Sequence, residues 1–388
     1  DASYEGILIG PGDIDGDGYR DAVFALREAD IGGVDCGAVY IYAGGPDGLG
    51  VDPVRIISTD GRRDGFGRGM TIADLDGDGL DDLIVGANGY DAGQIDSGAV
   101  FIYRGVEGAF FEETPWMEIP GVYSSDHHGF AVAACDFNGD GHQDLAVNAS
   151  YAEDRDIDDY PSAQGAVHIY LGSEDGLPLE PSDSIYGMVP NADGEWAGVD
   201  NLRMGEQLAA GYVDGDDLCD LVVGTLRYNA GIGGSNDGFV AIYRGRGPSS
   251  EGPGGLESLP SRIMAEQGPD NHTSHLGRRV AAGDINGDGF ADVAFTQYLH
   301  DDPAQSGSNH GAFRVLMGGP LPAEAPTAFE LPSDADLVRL GDNGGDGFGW
   351  FVGITDVDGT PPLDLVAGST GGEDEDGPNG TGHVEIFL

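Results

Sequence analysis

Apolar positions in this chain come in short runs, and the runs recur in a fixed order. A glycine opens the first, at Gly6, Gly67, Gly129, Gly205, Gly277 and Gly349, and a brief apolar stretch such as Val280-Ala-Ala-Gly283 follows it. An aspartate-rich nonapeptide comes next. A second run of strand formers follows, for example Leu83-Ile-Val85 or Leu221-Val-Val223. The third run opens on another glycine, as in Gly37-Ala-Val-Tyr-Ile-Tyr42, Gly98-Ala-Val-Phe-Ile-Tyr103 and Gly238-Phe-Val-Ala-Ile-Tyr243. A weaker fourth run, such as Val54-Arg-Ile-Ile57 or Arg262-Ile-Met264, is visible in five units. Runs this short, rich in β-branched and aromatic residues and parted by Gly, Asp, Asn and Pro, predict strands. A helical period is absent throughout.

The nonapeptides begin at residues 13, 74, 136, 212, 284 and 356, so the steps are 61, 62, 76, 72 and 72 residues. Each unit therefore predicts four short antiparallel strands. Their near-continuous apolar runs call for burial on both faces, which a lone sheet cannot achieve. Stacking such sheets radially satisfies every face, and this predicts an all-β fold, a six-bladed β-propeller. The expected organisation is one domain over residues 1–388, with units near 1–65, 66–127, 128–203, 204–275, 276–347 and 348–388. From Asp356 to the end there are 33 residues, and 12 precede Asp13, well short of the mean step. The sixth blade is therefore expected to lack its outer strand within this chain.

The nonapeptides carry the chemistry. Four are intact: Asp13-Ile-Asp15-Gly-Asp17-Gly-Tyr19-Arg-Asp21, Asp74-Leu-Asp76-Gly-Asp78-Gly-Leu80-Asp-Asp82, Asp136-Phe-Asn138-Gly-Asp140-Gly-His142-Gln-Asp144 and Asp284-Ile-Asn286-Gly-Asp288-Gly-Phe290-Ala-Asp292. Alternation turns side chains 1, 3 and 5 towards one centre, and hard oxygens gathered so suit Ca²⁺, which takes six to eight at ~2.3–2.6 Å. Without a cation these carboxylates repel one another. An EF-hand begins the same way but needs Glu at position 12. Phe24, Val85, Val147 and Phe295 stand there instead, and strand formers follow, so an EF-hand is excluded.

The linked features, with Phe66-Gly67 and Phe348-Gly349 before the loops and Val85-Gly-Ala-Asn88 after one, resemble the FG-GAP repeats of integrin α-subunit propellers and their bacterial relatives. The resemblance covers essentially the whole chain. It departs at Glu5, His128, Met204 and Leu276, where only the glycine of the Phe-Gly pair is kept, and integrin heads have seven blades where six units are counted here. It implies calcium in the loops between strands 1 and 2, with the position 7 carbonyl (Tyr19, Leu80, His142, Phe290) and the position 9 carboxylate (Asp21, Asp82, Asp144, Asp292) completing the cage. It also implies an extracellular or cell-surface recognition module.

Two loops are worn. The fourth has Tyr212 at position 1 and Asp217 in place of the second glycine, leaving Asp214, Asp216 and Asp220. The sixth keeps Asp356, Asp358 and Asp364 but has Thr360 and Pro361 at positions 5 and 6; proline fixes φ near −65°, so this loop must be rebuilt. Four calcium sites are thus expected, and the worn loops leave the number open up to six.

Charge narrows the partners. The chain has 17 basic residues, all arginine, against 69 acidic ones, a net charge of −52. Nucleic acid needs Lys and Arg at its phosphates and is excluded; an anionic membrane surface is disfavoured on the same ground. Four Ca²⁺ leave most of the acid on the surface, where it favours solubility in salt. No apolar stretch approaches a bilayer span. A start at Asp1 suits a processed or excised segment of a longer chain, expected to be monomeric. Of Cys36, Cys135 and Cys219, no spacing forms a zinc motif or a disulfide framework, and Cys135 in its apolar run reads as a small core residue.

A ligand is expected at the end opposite the aspartate loops, where the longer 2–3 loops gather: 151–164, 229–237, 299–309 and 371–381. Tyr90, Tyr151, Tyr228 and Tyr298 recur just after strand 2, either as aromatic faces for a protein or glycan or as packing for the strand ends. Six of nine histidines map there too, His127, His128, His272, His275, His300 and His310, and read as scatter over a wide surface. No nucleophile elbow, zinc-protease motif or phosphate loop is present. A recognition propeller is the leading expectation, and a carbohydrate lyase or hydrolase on the same scaffold the alternative.

Overall fold

The computed structural model describes residues 6–155, 161–191, 193–228, 237–250, 252–265, 275–300, 309–330, 335–341, 347–357, 359–369 and 383–387. Among them every regular element is a strand. The chain forms the antiparallel blades of a six-bladed β-propeller fold, in two compact units. The first unit covers 1–136 and 140–186, the second 137–139 and 187–388.

In the first unit, blade 1 runs Gly6–Gly12, Asp21–Leu26, Ala38–Tyr42 and Arg55–Ser58, hydrogen-bonded in chain order. Blade 2 runs Phe66–Ala73, Asp82–Ala87, Ala99–Tyr103 and Met117–Pro120, and blade 3 His128–Cys135, Asp144–Ala149, Ala166–Tyr170 and Asp183–Tyr186. The second unit repeats this. Blade 4 is Gln207–Gly211, Asp220–Thr225, Phe239–Tyr243 and Arg262–Ala265; blade 5 is Leu276–Gly283, Asp292–Gln297, Ala312–Leu316 and Leu337–Leu340. In blade 6 the strands among the described residues are Phe351–Thr355, Asp364–Ser369 and His383–Phe387.

Burial on both faces follows the strand period. Leu83 and Val85 pack towards blade 1, with Val23, Val39 and Ile41. Ile84, one residue between them, packs the other way with Val132, Leu145 and Val147 of blade 3. The second unit does the same: Val293 and Phe295 join Val222 and Val240, while Ala294 joins Phe348, Val352 and Leu365. Each large side chain buried this way contributes roughly 1.5–3 kcal/mol.

Within each unit the blades are also stitched through backbone. The residue before the opening glycine pairs with the glycine that opens strand 3 of the preceding blade: His128 with Gly98, Leu276 with Gly238, Phe348 with Gly311. Gly129, at φ 85°, then bulges the first strand against the second strand of blade 2, and a Cβ on Gly86 would collide with its carbonyl. This contact explains why glycine persists where the preceding phenylalanine does not.

One expectation needs correction. Cys135 and Cys219 are disulfide-bonded, and Cys36 is free and buried.

Candidate metal centres

Each nonapeptide joins strands 1 and 2 of its blade. Its position 2 residue anchors it: Ile14, Leu75, Phe137 and Val213 are buried. Alternation then turns positions 1, 3 and 5 the other way. The position 1 carboxylate accepts the amide of the second glycine, Gly18 to Asp13 at 2.8 Å and Gly79 to Asp74, Gly141 to Asp136 and Gly289 to Asp284 at 2.9 Å. The position 5 carboxylate accepts the amide of position 7, from Tyr19, Leu80, His142 and Phe290, at 2.9 Å in all four loops. These bends need left-handed backbone, and Gly18, Gly79, Gly141 and Gly289 supply it at φ 90–92°.

The result is convergence of oxygens. Asp13, Asp15 and Asp21 each offer an oxygen within 4.8 Å of the others, and so do Asp74, Asp76 and Asp78. Asn138 and Asn286 take position 3 in the third and fifth loops. Burial, and then the charges of Asp17, Asp21 and Asp13, raise the pKa of Asp15, against a lowering bond from the Asp17 amide. A hard divalent cation fits this donor set, all oxygen and short of positive charge.

The position 9 aspartates do more than face the centre. Asp21, Asp82, Asp144, Asp220, Asp292 and Asp364 are all buried. One oxygen accepts the amide of loop position 2: Ile14 to Asp21 at 2.8 Å, Leu75 to Asp82 at 3.0 Å, Val213 to Asp220 at 2.9 Å, Ile285 to Asp292 at 3.0 Å, Val357 to Asp364 at 2.6 Å. The other accepts the glycine amide that follows strand 3: Gly44, Gly105, Gly172, Gly245 and Gly318 at 2.7–3.0 Å. Burial pushes Asp82 up to about 6 and Asp220 up to about 7, against the pull of these amides.

The fourth loop differs in kind. The Nε of Arg244 lies 2.9 Å from Asp214 and its second amino nitrogen 3.6 Å from Asp216. A guanidinium thus already neutralises positions 3 and 5. Left-handed φ at position 6 belongs, among the described residues, to glycine alone, so Asp217 does not restore the bend. In the second loop Arg104, at the equivalent place after strand 3, reaches only position 3, Asp76, at 2.8 Å. Neither arginine was anticipated, although Tyr103-Arg104-Gly105 and Tyr243-Arg244-Gly245 share a visible pattern. The sixth loop keeps the Asp364 clamp and Gly359 donates to Asp356 at 2.6 Å; Asp358 lies outside the described residues.

At the other end the tyrosines divide. Tyr228 is buried against Phe239 and Phe329, and Tyr90 sits edge-on to Phe101. Tyr151 instead meets His127 at 4.7 Å, and Tyr298 meets His275 and Trp350 at 5.1 Å, with Arg278 over the Trp350 ring at 3.8 Å. Both histidines are left-handed, at φ 57° and 53°, two residues before the opening glycine. Most of the long 2–3 loops, with His272, lie outside the described residues.

Repeated antiparallel blades whose first two strands are joined by oxygen-rich loops define a β-propeller of acidic-loop repeats. Comparison with known proteins agrees. FG-GAP repeat models match residues 128–170 and 276–311, and an FG-GAP-like repeat model matches 13–85. Integrin alpha-PS2 of Drosophila melanogaster is 33% identical over 48% of this chain and 13% of its own length. Phosphatidylinositol-glycan-specific phospholipase D of Bos taurus is 32% identical over 52% of this chain and 23% of its own. The chain spans less than a quarter of these relatives. Among solved structures, the exotype rhamnogalacturonan lyase YesX covers 96% of this chain and 64% of its own, at 14% identity and a TM-score of 0.38. The chain is an FG-GAP-repeat, integrin-like β-propeller.

Proposed function

We propose that the chain is a calcium-stabilised extracellular recognition propeller. Calcium is held by the first, second, third and fifth loops, and the end away from them takes a protein or glycan ligand. The observation that carries this is the convergence of oxygens in loops whose backbone is already closed by their own carboxylates. Such a cage gains an ion without first having to fold around it. The fourth loop carries its cation covalently, as Arg244. Extracellular placement is supported by the integrin relatives and by the disulfide-bonded Cys135 and Cys219, since structural disulfides persist in oxidising compartments. No helix among the described residues is long and apolar enough to cross a membrane. Native mass spectrometry at saturating calcium tests the assignment. Four bound ions are expected, Asp78→Ala and Asp288→Ala should each remove one, and Asp216→Ala should remove none. Equal losses in all three would overturn the distinction.

A further inference from the structure

Within the first unit, between blades 2 and 3, lies a cavity of about 200 Å³. Its wall is the outer half of blade 3. His168 and Tyr170 alternate onto one face of strand 3, and Ser184 stands opposite His168 in register. The side chains are tied together. Ser184 Oγ is 2.8 Å from His168 Nδ1, Tyr170 OH is 3.3 Å from His128 Nε2, and the two imidazoles lie 5.6 Å apart. From the end away from the aspartate loops it is lined by Asp126, His128 and Glu153, while Glu180 and the half-exposed Tyr123 complete its edge.

The lining has a definite chemistry. Its inner groups are two imidazoles, a phenol and a hydroxyl, all of them able to donate and to accept. Burial lowers the pKa of His168 to about 4 and that of His128 well below 6.5, so both rings are neutral at physiological pH. The bonds to Ser184 and Tyr170 use one nitrogen of each ring, leaving the second for a guest. The edge is acidic. Arg155 brings the nearby positive charge, and it is committed: it pairs with Asp126 at 3.5 Å and Glu153 at 3.3 Å and stacks 3.9 Å over Tyr123.

Each feature removes a class of guest. An anion would meet three carboxylates and no uncommitted cation in the lining. A transition metal needs a third donor, and the triads of ligand-bearing groups among the described residues lie in the aspartate loops. Drug-sized ligands fill clefts of about 300–1,000 Å³, so this volume admits a single ring. Vicinal hydroxyls are both donors and acceptors, and the apolar face of a sugar ring suits the tyrosines.

We propose that this cavity is a subsite for one uncharged sugar ring, terminal or branching, of a glycan. The inference rests on the recognition reading for that end of the blades and is independent of the calcium count. Saturation-transfer NMR on the calcium-loaded chain tests it, with the methyl glycosides of glucose, galactose, mannose and N-acetylglucosamine as neutral probes and glucuronate and glucosamine as charged ones. Transfer to at least one neutral glycoside is expected, with none to glucuronate. Tyr123→Ala, at an exposed rim position, should weaken the response about tenfold, the loss of one ring contact. His168→Gln, checked for folding by its melting curve, should weaken it likewise. The proposal is overturned by silence from all four neutral glycosides, by equal or stronger transfer to either charged sugar, or by an unchanged response in a folded Tyr123→Ala. Such a failure alongside four bound calcium ions would leave the metal assignment standing.

Discussion

The amide of Gly245 donates to a carboxylate oxygen of Asp220 at 3.0 Å, although the two are 25 residues apart. The other oxygen of Asp220 accepts the amide of Val213 at 2.9 Å. One buried carboxylate thereby fastens the turn between strands 1 and 2 to the exit of strand 3. The same clamp recurs at Asp21, Asp82 and Asp292. It is present in the fourth loop, where Arg244 serves as the cation, so it belongs to the blade before it belongs to any metal.

Position 9 and position 5 should therefore separate when calcium is removed. Asp82→Ala strands the buried amide of Leu75 and the half-buried amide of Gly105, each worth about 1–3 kcal/mol. It should destabilise the chelated protein by about 2–5 kcal/mol. Asp78→Ala, at an exposed position, should change the chelated protein by no more than about 0.5 kcal/mol and show its effect only with calcium present. Urea melts of both variants with and without chelator make the comparison. Equal costs after chelation would remove the clamp as a distinct structural element.

Replacing the fixed cation should create a dependence on a free one. Arg244→Met leaves Asp214, whose side chain is 5% exposed, without its partner. Breaking such a pair costs more than the pair itself contributes, because the remaining charge stays buried. The variant should melt lower than the parent in chelator and recover more of its Tm on adding calcium. A Tm gap that is the same with and without calcium would show that Arg244 is not standing where a cation acts.

Calcium removal should lower the melting temperature of the parent chain. An ion that binds only the folded state at hundredfold excess over its Kd adds about 2.7 kcal/mol per site. Four sites make this a large shift, measurable by calorimetry before and after chelation. An unchanged melt after verified calcium loss would sink the structural role.

The all-β fold and its four-stranded antiparallel blades were legible because they rest on local period and spacing. Leu83 and Ile84 read as one apolar run, and the structure sends them to opposite neighbours, as strand alternation demands. Features that depend on tertiary proximity were not. Nothing in the local sequence around Cys135, or around Cys219, announces that it is disulfide-bonded. Arg244 follows a strand 30 residues beyond Asp214, and its role appears only when strand 3 folds back beside the loop. His128 was grouped with surface histidines by its place in the chain. It occupies the slot that Phe66, Leu276 and Phe348 fill elsewhere, and so it is buried, 2% exposed. That substitution of histidine for a core residue was the available signal for the cavity.

The buried histidines should each withdraw stability from the chain as pH falls below 6.5. His168 and His275 have pKa values lowered by burial from 6.5 to about 4, with Arg278 and then Arg227 adding to the effect at His275; His128 shifts the same way. Between these values the unfolded chain binds protons that the folded chain refuses, so stability is full above about pH 6.5 and falls as pH drops towards 4. Asp126 opposes this. Burial raises it from 3.8 to about 6, so its contribution is full below about 3.8 and is lost as pH rises through 6. Asp82, raised by burial to about 6, and Asp220, raised by burial to about 7, oppose the histidines in the same window, so the imidazole contribution is read as a difference between variants. Denaturant melts of the parent and of His275→Gln across pH 7–4.5, in chelator so that calcium affinity does not contribute, make the comparison. His275→Gln should lose less stability than the parent on acidification, because it removes one ring that the fold holds neutral. A variant whose stability follows the parent's at every pH would show that His275 is not held neutral by the fold.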